Sequence, residues 1–434
     1  MPSSLLPEAG DKRVSAVSAV PVDWCRRPIP RGRGAAVLVS GCALVSTALN
    51  AIEPEDLLSI QVGGALIQPR VAVSETYNDN IYFRPSKPVP GFPTLEVADD
   101  LVSLFSPGVS VQLGKDEGNY ISVDYGLNSF VYAIHPDENA LDHSLSLRGR
   151  YAGRKLSLSG SDHIDQMSTI YGGGSTLGIK LDRWIMADTY QLSYQLTEKT
   201  GFYVEGQHNS TDFAKGLPLY DTSTFRGTLG FNYQWRPRLG LFGEVYSSRS
   251  SSDPNLDLFP KGPSILATGG YLGARGEFTA KLTGMLKAGY ETRGYSDGSD
   301  APGSPVVEAS VTHRFNEKSS TSLSYSRSSY ASVQYSKYSY VRDGVDLRID
   351  RMLGSTGRLT ASASARLEFD SYDATDVRSA RSDQRMIVNA SLFYQLKLWM
   401  VAALNYEFER FASDNPGVVD YDVNRITVQL SVGY

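Results

Sequence analysis

From about Gln68 to Tyr434 the chain repeats one pattern: apolar and polar positions alternate, and then a break follows. A period of two is the spacing of a β-strand whose two faces meet different surroundings. Leu359, Ala361, Ala363, Ala365, Leu367 and Phe369 alternate with Thr360, Ser362, Ser364, Arg366, Glu368 and Asp370. Met386, Val388, Ala390, Leu392, Tyr394 and Leu396 form another apolar row, and Ser144, Ser146, Arg148 and Arg150 a polar one. The last residues obey the same rule, with Ile426, Val428, Leu430, Val432 and Tyr434 set between Arg425, Thr427, Gln429 and Ser431. Chain ends are ordinarily irregular and polar. This one reads as a strand that must pair with another so that no open edge remains.

The breaks alternate between tight and long. The tight ones fall at 115–119, 152–155, 197–200, 236–239, 278–281, 316–319, 354–357 and around Lys397; the long ones include 80–97, 166–180, 252–263, 296–303, 372–379 and 413–420. Eight tight turns make eight hairpins. A strand at about 68–79 before them and one at 421–434 after them bring the count to about eighteen. The predicted fold is all-β, a transmembrane antiparallel up-and-down β-barrel over 68–434, with apolar residues toward lipid and polar residues toward the lumen. A soluble sandwich also alternates, but it needs a shared apolar core and does not sustain this many long strands with turns and loops in strict succession.

The polar rows then define a lumen. Its expected cations are Arg148, Arg150, Arg226, Lys287, Arg314, Arg342, Arg348, Arg366, Arg385 and Arg425. Its expected acids are Asp142, Glu205, Glu244, Glu308, Asp346, Asp350, Glu368, Glu407 and Glu409. Charges in a lumen tune which solutes pass. The arginines of the last third either guide an anionic chain or pair with acids on neighbouring strands and hold the wall.

Composition agrees with strands and tight turns: 26 tyrosines and 40 glycines stand among 434 residues. A net charge of -5 with no basic stripe gives no footprint for nucleic acid. Both cysteines, Cys25 and Cys42, precede the strand pattern, so the body has no disulfide framework. Arg26, Arg27, Arg31 and Arg33 precede an apolar stretch from Ala35 to Leu49 and small residues ending at Ala51, the layout of an export signal. Residues 1–51 are thus read as an N-terminal extension and signal peptide, and 52–67 as a periplasmic lead-in. Val39-Ser40-Gly41-Cys42 also resembles a lipobox with Cys42 as the lipidated residue, although the apolar core before it is short.

Candidate chemistry is sparse. His135, His143, His163, His208 and His313 fall in five separate segments, and no phosphate loop or metal motif is present. No cofactor and no enzymatic function are expected. One pair stands out: His208 and Ser210 are two apart and share the lipid face, where a His that activates a Ser resembles the arrangement of outer-membrane lipid deacylases.

Two stretches carry a family resemblance. Tyr77-Asn78-Asp79-Asn80-Ile81 closes the first strand, and Asp99-Asp100 leads into a strand containing Pro107-Gly108-Val109. This resembles the β-barrel porin family of Gram-negative outer-membrane proteins, which includes the barrels of exopolysaccharide operons. The resemblance implies a passive conduit for polysaccharide export, working with periplasmic export proteins. A general or solute-selective uptake porin and a non-conducting structural barrel are the alternatives. It also implies residence in the outer membrane, and the alternating terminal strand ending in Tyr434 looks in its own right like the C-terminal signal read by the outer-membrane assembly machinery. On their own chemistry, Asn78, Asp79 and Asn80 read as a turn cluster; calcium or sugar ligation is the other use of such residues.

Overall fold

The computed structural model describes residues 58–85, 96–115, 118–171, 178–215, 219–255, 261–298, 300–331, 339–372, 379–415 and 420–433. The leader with Cys25 and Cys42, and the terminal Tyr434, lie outside them. Eighteen long strands follow in chain order: β1 (Ala65–Asn78), β2 (Asp100–Gly114), β3 (Tyr120–Tyr132), β4 (Ala140–Ala152), β5 (Leu156–Met167), β6 (Arg183–Gln195), β7 (Thr200–Phe213), β8 (Tyr220–Arg236), β9 (Leu239–Pro254), β10 (Ile265–Thr279), β11 (Leu282–Tyr295), β12 (Asp300–Asn316), β13 (Ser319–Ala331), β14 (Ser339–Leu353), β15 (Leu359–Tyr372), β16 (Arg381–Lys397), β17 (Met400–Ser413) and β18 (Tyr421–Val432). Each pairs antiparallel with its chain neighbours, and β18 returns to β1 from Val71↔Val432 to Asn78↔Arg425. The sheet is therefore a closed barrel. Closure satisfies every strand edge, which is the condition for crossing a bilayer with strands.

The tight turns lie at one rim and the loops at the other. Turns and strands fall within a few residues of their expected places, with two informative differences. The strand β1 begins at Ala65, so part of the expected lead-in belongs to the wall, and a short strand at Ile60–Val62 folds back on it. The strand β9 runs on to Pro254 because Ser251–Pro254 continue the ladder with Tyr220–Ser223 of β8. The hairpins β8–β9, β10–β11, β12–β13 and β16–β17 each shift register just before the turn. A bulge there adds local twist, which a closing wall requires.

The two faces can be told apart without reference to hydropathy. Side chains two strands apart meet only on the concave side of a curved sheet. Arg70 on β1 reaches Asp124 on β3 at 2.7 Å, and Tyr246 on β9 reaches Glu291 on β11 at 2.9 Å. Both contacts pass over a glycine of the strand between: a Cβ on Gly108 would lie 2.9 Å from the Arg70 guanidinium carbon, and one on Gly269 would lie 2.6 Å from the Tyr246 hydroxyl. The polar row therefore lines the lumen. The convex row is apolar and open, with Leu272 68%, Val245 60% and Val428 59% exposed. An exposed apolar girdle of this extent is a lipid surface.

Candidate functional site

The lumen wall divides into two electrostatic regions. In the last third the expected arginines are paired. Arg342 chelates Asp370 at 2.6 and 2.7 Å and lies 3.8 Å from Glu368. Arg385 donates to Glu409 at 2.8 and 2.6 Å, and Arg425 bridges Glu409, at 3.3 Å, to Glu407. Tyr421 donates to the same Glu409 at 3.0 Å. Arg348 holds Asp350 at 2.8 Å and Arg366 holds Asp346 at 2.5 Å. Of the two readings of these residues, cross-wall pairing is the one the geometry fits. Guanidinium–carboxylate contacts between strands, such as Arg342–Asp370 and Arg385–Glu409, fix adjacent strands in register, and with Arg348–Asp350 inside β14 they cancel the charge a solute would feel.

The first two thirds differ. Among the described residues, Arg148, Arg150 and Arg314 have no carboxylate partner. Arg275, absent from the sequence-based set, donates only to Asn232 at 2.8 Å and lies over Phe242. Arg226 lies on the Tyr246 ring, its guanidinium carbon 3.6 Å from the centroid. Arg150 and Arg314 are two residues from the tight-turn ends of β4 and β12, and Arg275 is four from the end of β10. Arg148 lines a polar wall recess of about 210 Å³ with Ser110, Gln112, Tyr120, Ser122, Asp124 and Ser146. Asp124 is already engaged by Arg70, so the recess keeps its positive charge.

At the opposite rim, acids tie down loops. Asp100, fully buried, accepts from the backbone N–H groups of Ala133, Ile134 and His135 at 2.9, 3.0 and 2.9 Å, and Asp142 accepts from that of Ser168 at 2.7 Å. Residues 79–85, where the chain leaves β1, turn inward from the wall. Phe83, at a φ of 52°, sets its ring edge-on to Tyr421 at 5.2 Å, against the lumen-row residues Phe411 and Val423. A positive φ at a bulky residue persists only where packing over-determines it. Next to it the Tyr82 hydroxyl donates to Glu138 at 3.0 Å, and burial, then the Glu138 carboxylate, pushes the phenol up to about 12. The Asn78-Asp79-Asn80 cluster is turn chemistry: Asn78 accepts from the Asn80 backbone at 3.0 Å, and Asp79 accepts from the backbone and side-chain amides of Asn424, each at 2.7 Å. Alternation gave no sign of the inward loop; the cluster that starts it was the available signal.

On the lipid face, His208 and Ser210 point the same way, as their spacing requires, but they are not partners. The His208 ring lies between Asp188 of β6, 3.0 Å from Nδ1, and Ser223 of β8, 3.2 Å from Nε2, stacked on Phe225 at 4.2 Å. Ser210 donates to Asp212 at 3.4 Å. Near the same level Tyr190 donates to Asp162 at 2.5 Å and Tyr325 to Asp343 at 2.6 Å. Such amphipathic pairs suit the headgroup region. A second Ser–His–Asp chain lies in the lumen, where His163 joins Ser146 through Nδ1 at 2.7 Å and Asp165 through Nε2 at 2.9 Å.

Among curated proteins none matches the chain. Among solved structures, OccAB4 of Acinetobacter baumannii is similar at 12% identity and a TM-score of 0.45, over 84% of this chain and 97% of that one. The outer membrane protein OpdK of Pseudomonas aeruginosa gives 10% and 0.44 over 84% and 98%, and OpdO of the same organism 11% and 0.47 over 84% and 97%. Such distant likenesses assign neither solute nor role. The family comparison is more direct: residues 220–434, from β8 to the closing strand, match the model described as "Putative beta-barrel porin 2", so this part of the chain is similar to that family of β-barrel porins.

Proposed function

We propose that this barrel is a passive outer-membrane channel of Gram-negative bacteria that favours small anionic solutes, with its tight turns in the periplasm and its long loops outside. One observation carries the reading. Arg148, Arg150, Arg275 and Arg314 face the lumen near the periplasmic rim without a carboxylate partner among the described residues, while the arginines of the last third are neutralised in pairs. Uncompensated charge in a low-dielectric-walled passage concentrates the opposite ion.

The polysaccharide conduit implied by the sequence resemblance shares the need for a cationic wall. The described start of the β1–β2 connection, residues 79–85, seated on the lumen row by Phe83, supports short solutes instead. The channel reading assigns no catalysis to the lumen. Insertion by an outer-membrane assembly machinery, with β18 as the strand it reads, belongs to the same proposal.

The test is the reversal potential of the purified protein in a planar bilayer under a KCl gradient. An anion-selective potential is expected, moving toward cation selectivity when Arg148, Arg150, Arg275 and Arg314 are replaced by serine. A cation-selective wild-type channel, or no channel at all, would refute it. A strain lacking the gene, compared with its complemented parent, separates the readings: loss of exported polymer would favour the conduit.

A further inference from the structure

We propose that Asp188, His208 and Ser223 form a lipid-facing acyl-ester hydrolase site on the outer wall. The argument starts from the ring. An ionised Asp188 only accepts, so the Nδ1 that faces it at 3.0 Å must carry the proton. In the neutral ring Nε2 is then a lone-pair acceptor, and the Ser223 hydroxyl, 3.2 Å away, donates to it. Ser223 has no other hydrogen-bond partner among the described residues. This is the order of contacts by which a carboxylate orients an imidazole and the imidazole deprotonates a serine. Three strands contribute one residue each, and the register Asp188↔His208↔Phe225 of the β6–β7–β8 ladder holds them in place.

The position on the wall selects the substrate. His208 is eight residues from the start of β7, so at about 3.3 Å per residue and a tilt of about 40° it stands roughly 20 Å above the periplasmic rim. The apolar band of such barrels is about 25 Å tall. The site therefore lies where acyl chains of the outer leaflet meet their headgroups. Phe225 beside it and Leu229 and Val204 below it, 59%, 58% and 52% exposed, offer an apolar seat for a chain. An ester carbonyl at Ser223 thus has its acyl chain on the apolar wall. Arg249, register partner of Phe225, donates to Ser264 at 3.3 Å, on the β10 side of its own strand and away from Ser223. The lumen chain Ser146–His163–Asp165 uses the opposite ring nitrogens and has no apolar seat, which makes it an internal control.

The reaction balances with water as the second reactant. Ser223 Oγ attacks the acyl carbon as its proton passes to His208 Nε2. The ester C–O bond breaks, and the departing alcohol takes that proton. Water then attacks the acyl-serine, giving its proton to His208, and the fatty acid leaves as Ser223 recovers its own.

The test uses the full-length protein in vesicles of phosphatidylethanolamine and, separately, in vesicles containing lipopolysaccharide, with released fatty acid measured by mass spectrometry. Release is expected in at least one arm, and the productive arm identifies the lipid. It should fall by about 10³-fold or more in Ser223→Ala and in His208→Asn. Ser210→Ala and Ser146→Ala should match wild type, and the Ser223 variant should still form channels, which shows that it is folded. A fluorophosphonate should label Ser223. No release in either arm, release that survives Ser223→Ala, or label on another serine would each overturn the proposal. None of these outcomes touches the channel reading.

Discussion

Arg70 and Asp124 are separated by a whole strand, yet both terminal nitrogens of Arg70 bond Asp124 at 2.7 Å across the bare backbone of Gly108. The pair is about two-fifths exposed, so its worth to stability is small, about 0–1 kcal/mol. Its electrostatic effect is larger. Asp124 lines the recess that holds Arg148, and Arg70 keeps it from neutralising that cation. Arg70→Ala should therefore lower anion selectivity by more than one lost charge, whereas Asp124→Asn should raise it. Reversal potentials of the two variants under one KCl gradient check the opposite signs.

The faces make a prediction of their own. Val204 is 52% exposed on the convex wall between Leu192 and Leu229, and Gln207 on the same strand faces the lumen beside Glu205. Val204→Arg should cost about 2–4 kcal/mol, the penalty for a cation near the bilayer midplane. Gln207→Arg gains a carboxylate neighbour and should stay within about 0.5 kcal/mol of wild type. Urea unfolding in vesicles compares them; equal costs would mean that the faces are wrongly assigned.

The barrel was legible because a strand repeats every two residues, and each tight turn carries its own chemistry: one-dimensional patterns suffice for both. The lumen was only half legible. Parity places Arg148 and Arg385 on the same face, but not that Arg385 is held by Glu409 while Arg148 is free. That depends on side chains meeting across neighbouring strands. Arg70–Asp124 needs the register of two ladders as well as the missing side chain of Gly108. The same holds for His208, whose spacing pointed to Ser210 while the neighbouring strands supplied Asp188 and Ser223. The inward loop left no periodic trace because its anchors are single residues, Asn80 and Phe83.

That loop is testable through its anchor. Phe83→Ala removes the ring that packs on Phe411, Tyr421 and Val423 and should free the loop from the wall. Single-channel conductance should rise, with noisier open levels. Unchanged conductance would show that the loop does not narrow the mouth.

Tyr82 gives the same region a pH dependence. Its folded value is about 12 against an ordinary 10.0, so the docked loop favours the neutral phenol. The docking that depends on it is complete below pH 10 and is lost as pH climbs from 10 toward 12. Conductance should rise over that window in wild type. Tyr82→Phe cannot ionise there and should lack this component, which separates it from titration of other groups.

The charged wall of the last third is a network with a centre, and the centre should be far more sensitive than the edge. Glu409, 3% exposed, accepts from Arg385, Arg425 and Tyr421 together. Glu409→Gln strands Arg385, while Arg425 keeps Glu407, and removing one partner of a buried pair costs about 3–5 kcal/mol. Arg385→Gln leaves Glu409 with Arg425 and Tyr421, so the expected loss is smaller, about 1–2 kcal/mol. Replacing both members, Arg385→Met with Glu409→Gln, removes one stranded cation and should recover part of the single Glu409 loss. Urea midpoints of the three variants in vesicles read this order. If Arg385→Gln cost as much as Glu409→Gln, Glu409 would be one partner among equals.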